Sequence, residues 1–221
     1  MIMPLILHEH LQPTGELGLW RIEESEEWYR DNLLLSPMEL RQLGHFKGRR
    51  RKEWLAVRQL VHQMSGREER GAFIKDEFGK PHLAHSPYQI SISHSEQLAA
   101  AIAAPVSVGI DIQKTVTKIT RIAHKFLREE ERASIAEHNL IPHMHLYWGA
   151  KEALYKAYGR RALDFKEHIF VNAFSMESDT GKMQGRIQKD DFCANYEIYY
   201  RHVGPYVLVY ALEAVFLDQQ L

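Results

Sequence analysis

The stretch ISISHSEQLAAAIAAPVSVGIDI, residues 90–112, is where the chain changes period. Ile90-Ser91-Ile92-Ser93-His94 alternates apolar and polar residues, as a half-buried strand does. Leu98 to Ala103 and Val106 to Ile112 read as two further strands, joined near Ala104-Pro105. Upstream the pattern is helical after a short start. Ser36-Pro37-Met38-Glu39 has the form of a capping box with proline at the first helical position. A second helix is predicted from about Arg49 to Met64, with Trp54, Leu55, Arg58, Val61 and His62 near one face and Gly66 as its stop. Gly79-Lys80-Pro81 is a turn signal.

Downstream the order repeats. Ile119 to Leu140 reads as helical, and Pro142 opens a helix that carries Trp148 to Tyr158 and stops at Gly159. Strands follow at Ile169 to Met176, Met183 to Ile187, Asn195 to Arg201 and Tyr206 to Glu213, with Asp179-Thr180-Gly181-Lys182 as a hairpin turn. Helices, strands, helices, strands predict an α+β protein of two halves, 1–104 and 105–221, each a helix layer on a mainly antiparallel sheet.

The composition limits the function classes. The 221 residues are 45% hydrophobic and 26% charged, an ordinary globular balance. Lysine and arginine total 28 against 29 acidic residues, so bulk charge gives no reason to expect nucleic acid or an anionic membrane as partner. The one cysteine, Cys193, excludes an internal disulfide and a cysteine zinc cluster and fits a reducing compartment. The apolar start Met1 to Leu7 is too short for a signal peptide, and no run approaches the roughly 18 residues of a membrane span. A soluble, cytoplasmic protein is expected. The thirteen histidines lack the recurring zinc spacings, so His82, His85, His143 and His145 are expected to be scattered surface residues.

Four fragments can carry chemistry. In Val108-Gly109-Ile110-Asp111-Ile112-Gln113 an acid interrupts an apolar strand, and the two-residue period puts Asp111 and Gln113 on one face. A carboxylate there needs a cation, a metal or several donors, or it simply accepts turn hydrogen bonds. In Trp148-Gly149-Ala150-Lys151-Glu152-Ala153-Leu154-Tyr155-Lys156, helical spacing aligns Trp148, Glu152 and Lys156 on one face, with Lys151 about 100° away. The bland reading is an exposed Glu–Lys pair. Phe126 to Arg132 reads alone as a solvated helix start. Lys80 of the Gly79-Lys80-Pro81 turn and His94 of Ser93-His94-Ser95 can face a phosphate, or be an ordinary turn lysine and strand end.

Together and in this order, the fragments resemble the Sfp-type 4′-phosphopantetheinyl transferases. That family shows a G-(I/V)-D-(I/V) strand, a W-x-x-K-E-x-x-x-K helix, a G-K-P turn and an S-H-S strand end. The resemblance spans about residues 36 to 176. It implies a pseudo-dimer of two similar α+β halves with the active site in the cleft between them. It also implies transfer of the phosphopantetheine arm of coenzyme A to a serine of an apo acyl- or peptidyl-carrier protein, releasing 3′,5′-ADP. Mg²⁺ would sit on Asp111 and Glu152, the glutamate of the F-x-x-x-x-E pattern would be Glu131, and either Glu131 or Glu152 would take the serine proton. Lys156 would serve the diphosphate. Lys80, Ser93, His94 and Lys151 match positions at coenzyme A. Arg50, Arg51 and Arg58 resemble the arginines that grip the nucleotide 3′-phosphate, or else form a solvated helix face.

The chain departs from the pattern at Gln113, where many members have glutamate as a third metal ligand. A glutamine oxygen is a weaker ligand, and the reading predicts that Gln113→Glu tightens Mg²⁺ binding. The stretch Thr115 to Leu127 is expected to help dock the carrier. Its apolar stripe Val116, Ile119, Ile122 and Phe126 is either surface or core, and Lys114, Lys118, Arg121, Lys125 and Arg128 would meet an acidic carrier. The resemblance implies a monomer. Two alternatives stay open: a carrier-binding member that has lost transfer, and a different magnesium phosphotransferase or phosphoesterase.

Overall fold

The structure is a computed structural model and describes residues 4–176 and 179–214. Residues 1–3 of the apolar start, and 215–221 of the second predicted half, lie outside the described residues. The element order is β1 Leu5–His10, β2 Glu16–Arg21, α1 Glu26–Leu33, α2 Pro37–Gly44, α3 Arg49–Ser65, β3 Phe73–Lys75, β4 Pro81–Leu83, β5 Gln89–Ser95, β6 Leu98–Ala104 and β7 Val108–Lys114. Then come α4 Ala123–Phe126, α5 Glu129–Ala133, α6 Leu140–Tyr158, β8 Ile169–Val171, β9 Thr180–Lys189, β10 Phe192–Val203 and β11 Tyr206–Glu213. The chain is α+β with two sheets, both antiparallel throughout. One runs β1-β2-β6-β5-β4-β3 and the other β7-β11-β10-β9-β8.

Four layers follow from the two-residue period. In β6, Ala99 and Ala101 face α3 beside Leu60, Val61 and Met64. Ala100 and Ile102 face the other way, against Val108, Ile110 and Ile112 of β7. The second helix layer is α6, whose Tyr147, Ala150, Ala153 and Leu154 pack on Ile187, Ile198, Val207 and Val209. The order is therefore helix, sheet, sheet, helix. Alanines at the middle of β6 bring backbones close on both faces, which is why that strand carries no visible alternation.

The local signals explain the ends. Ser36 Oγ accepts from the Glu39 N–H and Glu39 accepts from the Ser36 N–H, completing the predicted capping box. Both α3 and α6 end at a glycine in the left-handed region, Gly66 and Gly159.

Several expectations are corrected. The short start holds two strands, β1 and β2. Residues 117–139 do not form one helix: they break into 3-10 turns at Thr117–Arg121 and Glu137–Asn139 with α4 and α5 between. The strand read to Met176 stops at Val171. Thr180, Gly181 and Lys182 are strand, not turn. Gly181 sits under the Tyr200 ring, where a Cβ would come within 2.6 Å of ring carbons, so the glycine serves a packing contact. The β9–β10 reversal lies instead at Asp190, whose φ is 50°. His143 and His145 are buried, not on the surface. His143 stacks on Tyr147 with ring centroids 5.4 Å apart.

Candidate functional site

The strand β7 is the edge of its sheet, and its two faces differ. Val108, Ile110 and Ile112 fill the layer between the sheets. Gly109, Asp111 and Gln113 turn toward α6. The approach is so close that a Cβ on Gly109 would lie 1.7 Å from the Ala153 carbonyl oxygen. On the free edge of β7, the Ile110 N–H donates to Ser91 Oγ over 3.1 Å and the Ile112 N–H donates to Ser93 Oγ over 3.2 Å. The two serines are buried because they satisfy an edge that would otherwise have unpaired amides.

Asp111, Ser93 and Lys156 meet at this edge. Lys156 Nζ donates to Asp111 Oδ1 over 2.8 Å, to the Ile110 carbonyl over 2.9 Å and to Ser93 Oγ over 3.1 Å. Ser93 Oγ in turn donates to Asp111 Oδ1 over 3.1 Å. Glu152 lies one turn before Lys156 on α6. Among the described residues its carboxylate forms no hydrogen bond and no ion pair. Its pKa is raised, first by burial, opposed by the charge of Lys156 and reinforced by that of Asp111. Two acids and an ammonium thus converge, with the ammonium paired to Asp111 and acting on Glu152 through its charge alone.

Gln113 joins the cluster in an orientation the sequence does not reveal. Its Nε2 donates to Asp111 Oδ2 over 3.1 Å and to the His145 carbonyl over 3.2 Å. Its Oε1 faces His145 Nδ1 at 2.7 Å. The expected third metal ligand therefore offers its nitrogen toward Asp111, and its oxygen is already used.

Next to the cluster, His94 contacts Arg50 and lies 3.3 Å from the buried Glu53. Glu53 also holds Arg49 at 2.9 Å and Arg50 at 3.3 Å. Burial, then the positive charge of Arg50, lowers the His94 pKa and favours the neutral ring. On the other side, Lys80 Nζ donates to the Ala157 carbonyl over 2.8 Å, capping the end of α6 from the turn between β3 and β4. A pocket of about 330 Å³ lies there, lined by Lys80, Lys156, Arg160 and Arg161 with Phe78 and Tyr155. Four cations beside two aromatic rings suit an anionic ligand with a planar or apolar part. Arg160 and Arg161 were not among the expected residues. Their signal is two adjacent cations straight after the helix-stopping Gly159.

Four expected residues stand apart from this cluster. Lys151 is 0% exposed, with Nζ 2.7 Å from Glu131 Oε2 and donating to the carbonyls of Phe165 and Ile169. Burial pushes its pKa down to about 8, against the pull of Glu131. Glu131, 4% exposed, also accepts from the backbone N–H groups of Arg128 and Val171. The two form an internal strut between α5, α6 and β8, and their charged atoms are taken up by each other and by backbone groups. Arg51 is bound to Glu26 at 2.6 and 2.7 Å. Arg58 is 4% exposed, lies 3.6 Å from Glu39 and stacks 3.2 Å from the Trp54 ring centroid. Both arginines are held by glutamates, Arg58 in the interior and Arg51 with its side chain 27% exposed.

The stripe of the following segment divides. Ile119 and Phe126 are core, Ile122 packs against it, and Val116 is 45% exposed beside the exposed Lys114, Lys118 and Arg121.

Among the described residues, no group of three or more His, Cys, Asp and Glu is arranged to hold a metal ion. Asp111 and Glu152 nevertheless fit magnesium, which takes one or two carboxylates and completes its shell with water and phosphate oxygens. No helix among the described residues is long and apolar enough to cross a membrane.

Compared with known families, residues 107–211 match the model of the 4′-phosphopantetheinyl transferase superfamily. None of the curated proteins matches the chain. The family match contains Asp111, Gln113, Glu131, Glu152 and Lys156, and the resemblance read from the motifs holds over that segment. It points to phosphopantetheinyl transfer as the class of chemistry, with coenzyme A as the family's substrate. Lys80, Ser93 and His94 lie outside the matched segment and reach it through the fold.

Proposed function

We propose, from the match of residues 107–211 to the 4′-phosphopantetheinyl transferase superfamily, that this protein moves the phosphopantetheine arm of coenzyme A to a serine of an apo acyl- or peptidyl-carrier protein and releases 3′,5′-ADP. The observation that carries the proposal is the meeting of Asp111, Glu152 and Lys156 from the matched segment with Ser93 from outside it. We also read the chain as a pseudo-dimer with its site in the cleft between halves 1–104 and 105–221. That reading is supported by one antiparallel sheet and one long helix in each half.

The pocket beside Lys80, Lys156, Arg160 and Arg161 takes the nucleotide diphosphate. Asp111 and Glu152 would hold Mg²⁺, which would supply positive charge to offset that of the diphosphate. Glu152, which among the described residues has no hydrogen-bond or ion-pair partner and whose pKa is raised by burial, takes the proton of the carrier serine. The serine oxygen forms its bond to the phosphorus that carries pantetheine, and the bond from that phosphorus to 3′,5′-ADP breaks. Lys156 moves with the leaving phosphate and offsets its charge. His94 and Arg50, on the far side of Ser93, steady an anionic group there. The exposed Val116, Lys118 and Arg121 form the docking edge for an acidic carrier.

Intact-mass spectrometry of an apo acyl-carrier protein, incubated with the protein, coenzyme A and Mg²⁺, tests the reading. A gain of one phosphopantetheine, lost with EDTA, is expected. No gain on several carrier types, with the protein folded, would favour the second reading, a carrier-binding member that does not transfer. The amide nitrogen of Gln113 turned toward Asp111 is the observation behind that alternative.

A further inference from the structure

The Asp111 carboxylate is already occupied by donors of its own chain. Lys156 Nζ and Ser93 Oγ both donate to Oδ1, and Gln113 Nε2 donates to Oδ2. The Asp111 side chain is 11% exposed, whereas that of Lys156 is 27% exposed on a long, flexible stem. An ammonium and a divalent ion cannot share one carboxylate oxygen without strong repulsion. Of the donors at Oδ1, only Lys156 carries a charge, and it alone can swing outward into the pocket it lines beside Lys80, Arg160 and Arg161.

We infer that Lys156 holds the place of the metal on Asp111 in the substrate-free protein, and leaves it when a diphosphate takes its ammonium. Lys156 then has two successive partners, Asp111 before substrate and the diphosphate after. The metal gains Asp111 at the moment the ammonium lets go. Metal and coenzyme A therefore favour each other's binding, and by linkage each strengthens the other equally. A ligand shifts such an equilibrium only through its different affinity for the two arrangements, and here the diphosphate supplies that difference. The identity of the diphosphate rests on the transferase reading; the blocking of Asp111 by Lys156 does not.

The test is direct Mn²⁺ binding, followed through the electron paramagnetic resonance of the free ion. Mn²⁺ alone is expected to bind Lys156→Met at least about tenfold more tightly than the native chain, a difference of about 1.4 kcal/mol. Lys156→Arg keeps the cation and is expected to keep the weak native affinity. Asp111→Asn placed on Lys156→Met is expected to abolish the gain. Added coenzyme A is expected to narrow the gap between native and Lys156→Met. Equal Mn²⁺ affinity of native and Lys156→Met would overturn the inference, as would a gap that coenzyme A leaves unchanged. If Lys156→Met does not fold, Lys156→Gln serves as the neutral variant. Should Lys156→Met tighten Mn²⁺ while the native protein modifies no carrier, the counter-ion role stands and the transferase reading alone falls.

Discussion

His145 Nδ1 lies 2.7 Å from Gln113 Oε1, and that contact fixes which end of the Gln113 amide faces Asp111. His145 Nε2 lies between the Val116 N–H at 2.9 Å and the Val116 carbonyl at 3.0 Å, so the order comes from Gln113: its amide nitrogen faces two acceptors, Asp111 Oδ2 and the His145 carbonyl, which turns its oxygen to Nδ1 and assigns the proton of the neutral ring to that nitrogen. With the amide oxygen held, only the nitrogen remains for Asp111. Burial lowers the His145 pKa and keeps the ring neutral. His145→Leu is expected to leave the half-buried Gln113 Oε1 without its donor, at about 1 kcal/mol. His145→Asn places an amide N–H near the Nδ1 position and is expected to recover much of that loss. Urea denaturation of the three proteins measures it, and equal stability of the leucine and asparagine variants would remove the locking role.

The same contact refines the expectation for Gln113→Glu. A carboxylate at that position would stand beside Asp111 and opposite a ring N–H. Repulsion between the two acids is relieved by a cation, and the metal then has a further oxygen available. Tighter Mg²⁺ binding is expected, read as a lower half-saturating concentration of magnesium for transfer. An unchanged magnesium titration counts against it.

Gly109 sets how near Asp111 can come to Lys156. A methyl group there would strike the Ala153 carbonyl, which belongs to helix backbone and cannot swing aside. Gly109→Ala is expected to cost about 3 kcal/mol or more, the upper range for overpacking, and to lower activity in whatever fraction folds. Gly44, near the end of α2, has nothing within 4 Å of a built Cβ, so Gly44→Ala is the control. It is expected to be neutral or to gain up to about 1 kcal/mol. Thermal melts of the pair distinguish a packing effect from a general intolerance of alanine. Equal melting temperatures would show that β7 and α6 have room to spare.

The sequence displays some of this architecture and hides the rest for identifiable reasons. The helix Arg49–Ser65 and the strand Tyr206–Glu213 stand out because each has a clear period and a clear stop. The strand Glu16–Arg21 does not, because both its faces are buried. Leu17 and Leu19 face the other sheet while Trp20 faces α3, so no polar residue marks an outside. Gly181 reads as a turn residue when its real constraint is the Tyr200 ring, a contact made across the sheet. At the site, Asp111, Glu152 and Lys156 are visible as a motif. The pairing of Lys151 with Glu131 is not, since two charges 20 positions apart reveal nothing of a shared interior. His145 reads as one histidine among thirteen until the fold sets it against Gln113.

Glu39 links the capping box of α2 to the interior of the first sheet's helix layer, and its pKa makes stability depend on pH. The carboxylate accepts from Arg70 at 2.7 and 2.5 Å and from the Ser36 N–H at 3.1 Å, and it lies 3.6 Å from Arg58. Burial alone would raise its pKa, but the hydrogen bonds from Arg70 and Ser36 outweigh it and the net shift is downward. A carboxyl depressed in the folded state binds fewer protons than in the unfolded chain. Its stabilisation is therefore present above the unfolded value of 4.5 and is lost as pH falls through the lower folded value. Glu39→Gln removes the charge and leaves Arg58 and Arg70 short of an anion, at a cost on the order of 3 kcal/mol near pH 7. The gap between native and variant is expected to shrink steadily below about pH 4.5, as the native carboxyl also becomes neutral. Chemical denaturation at a series of pH values reads the gap directly. A gap that stays constant down to pH 3 would mean that the loss comes from packing rather than charge.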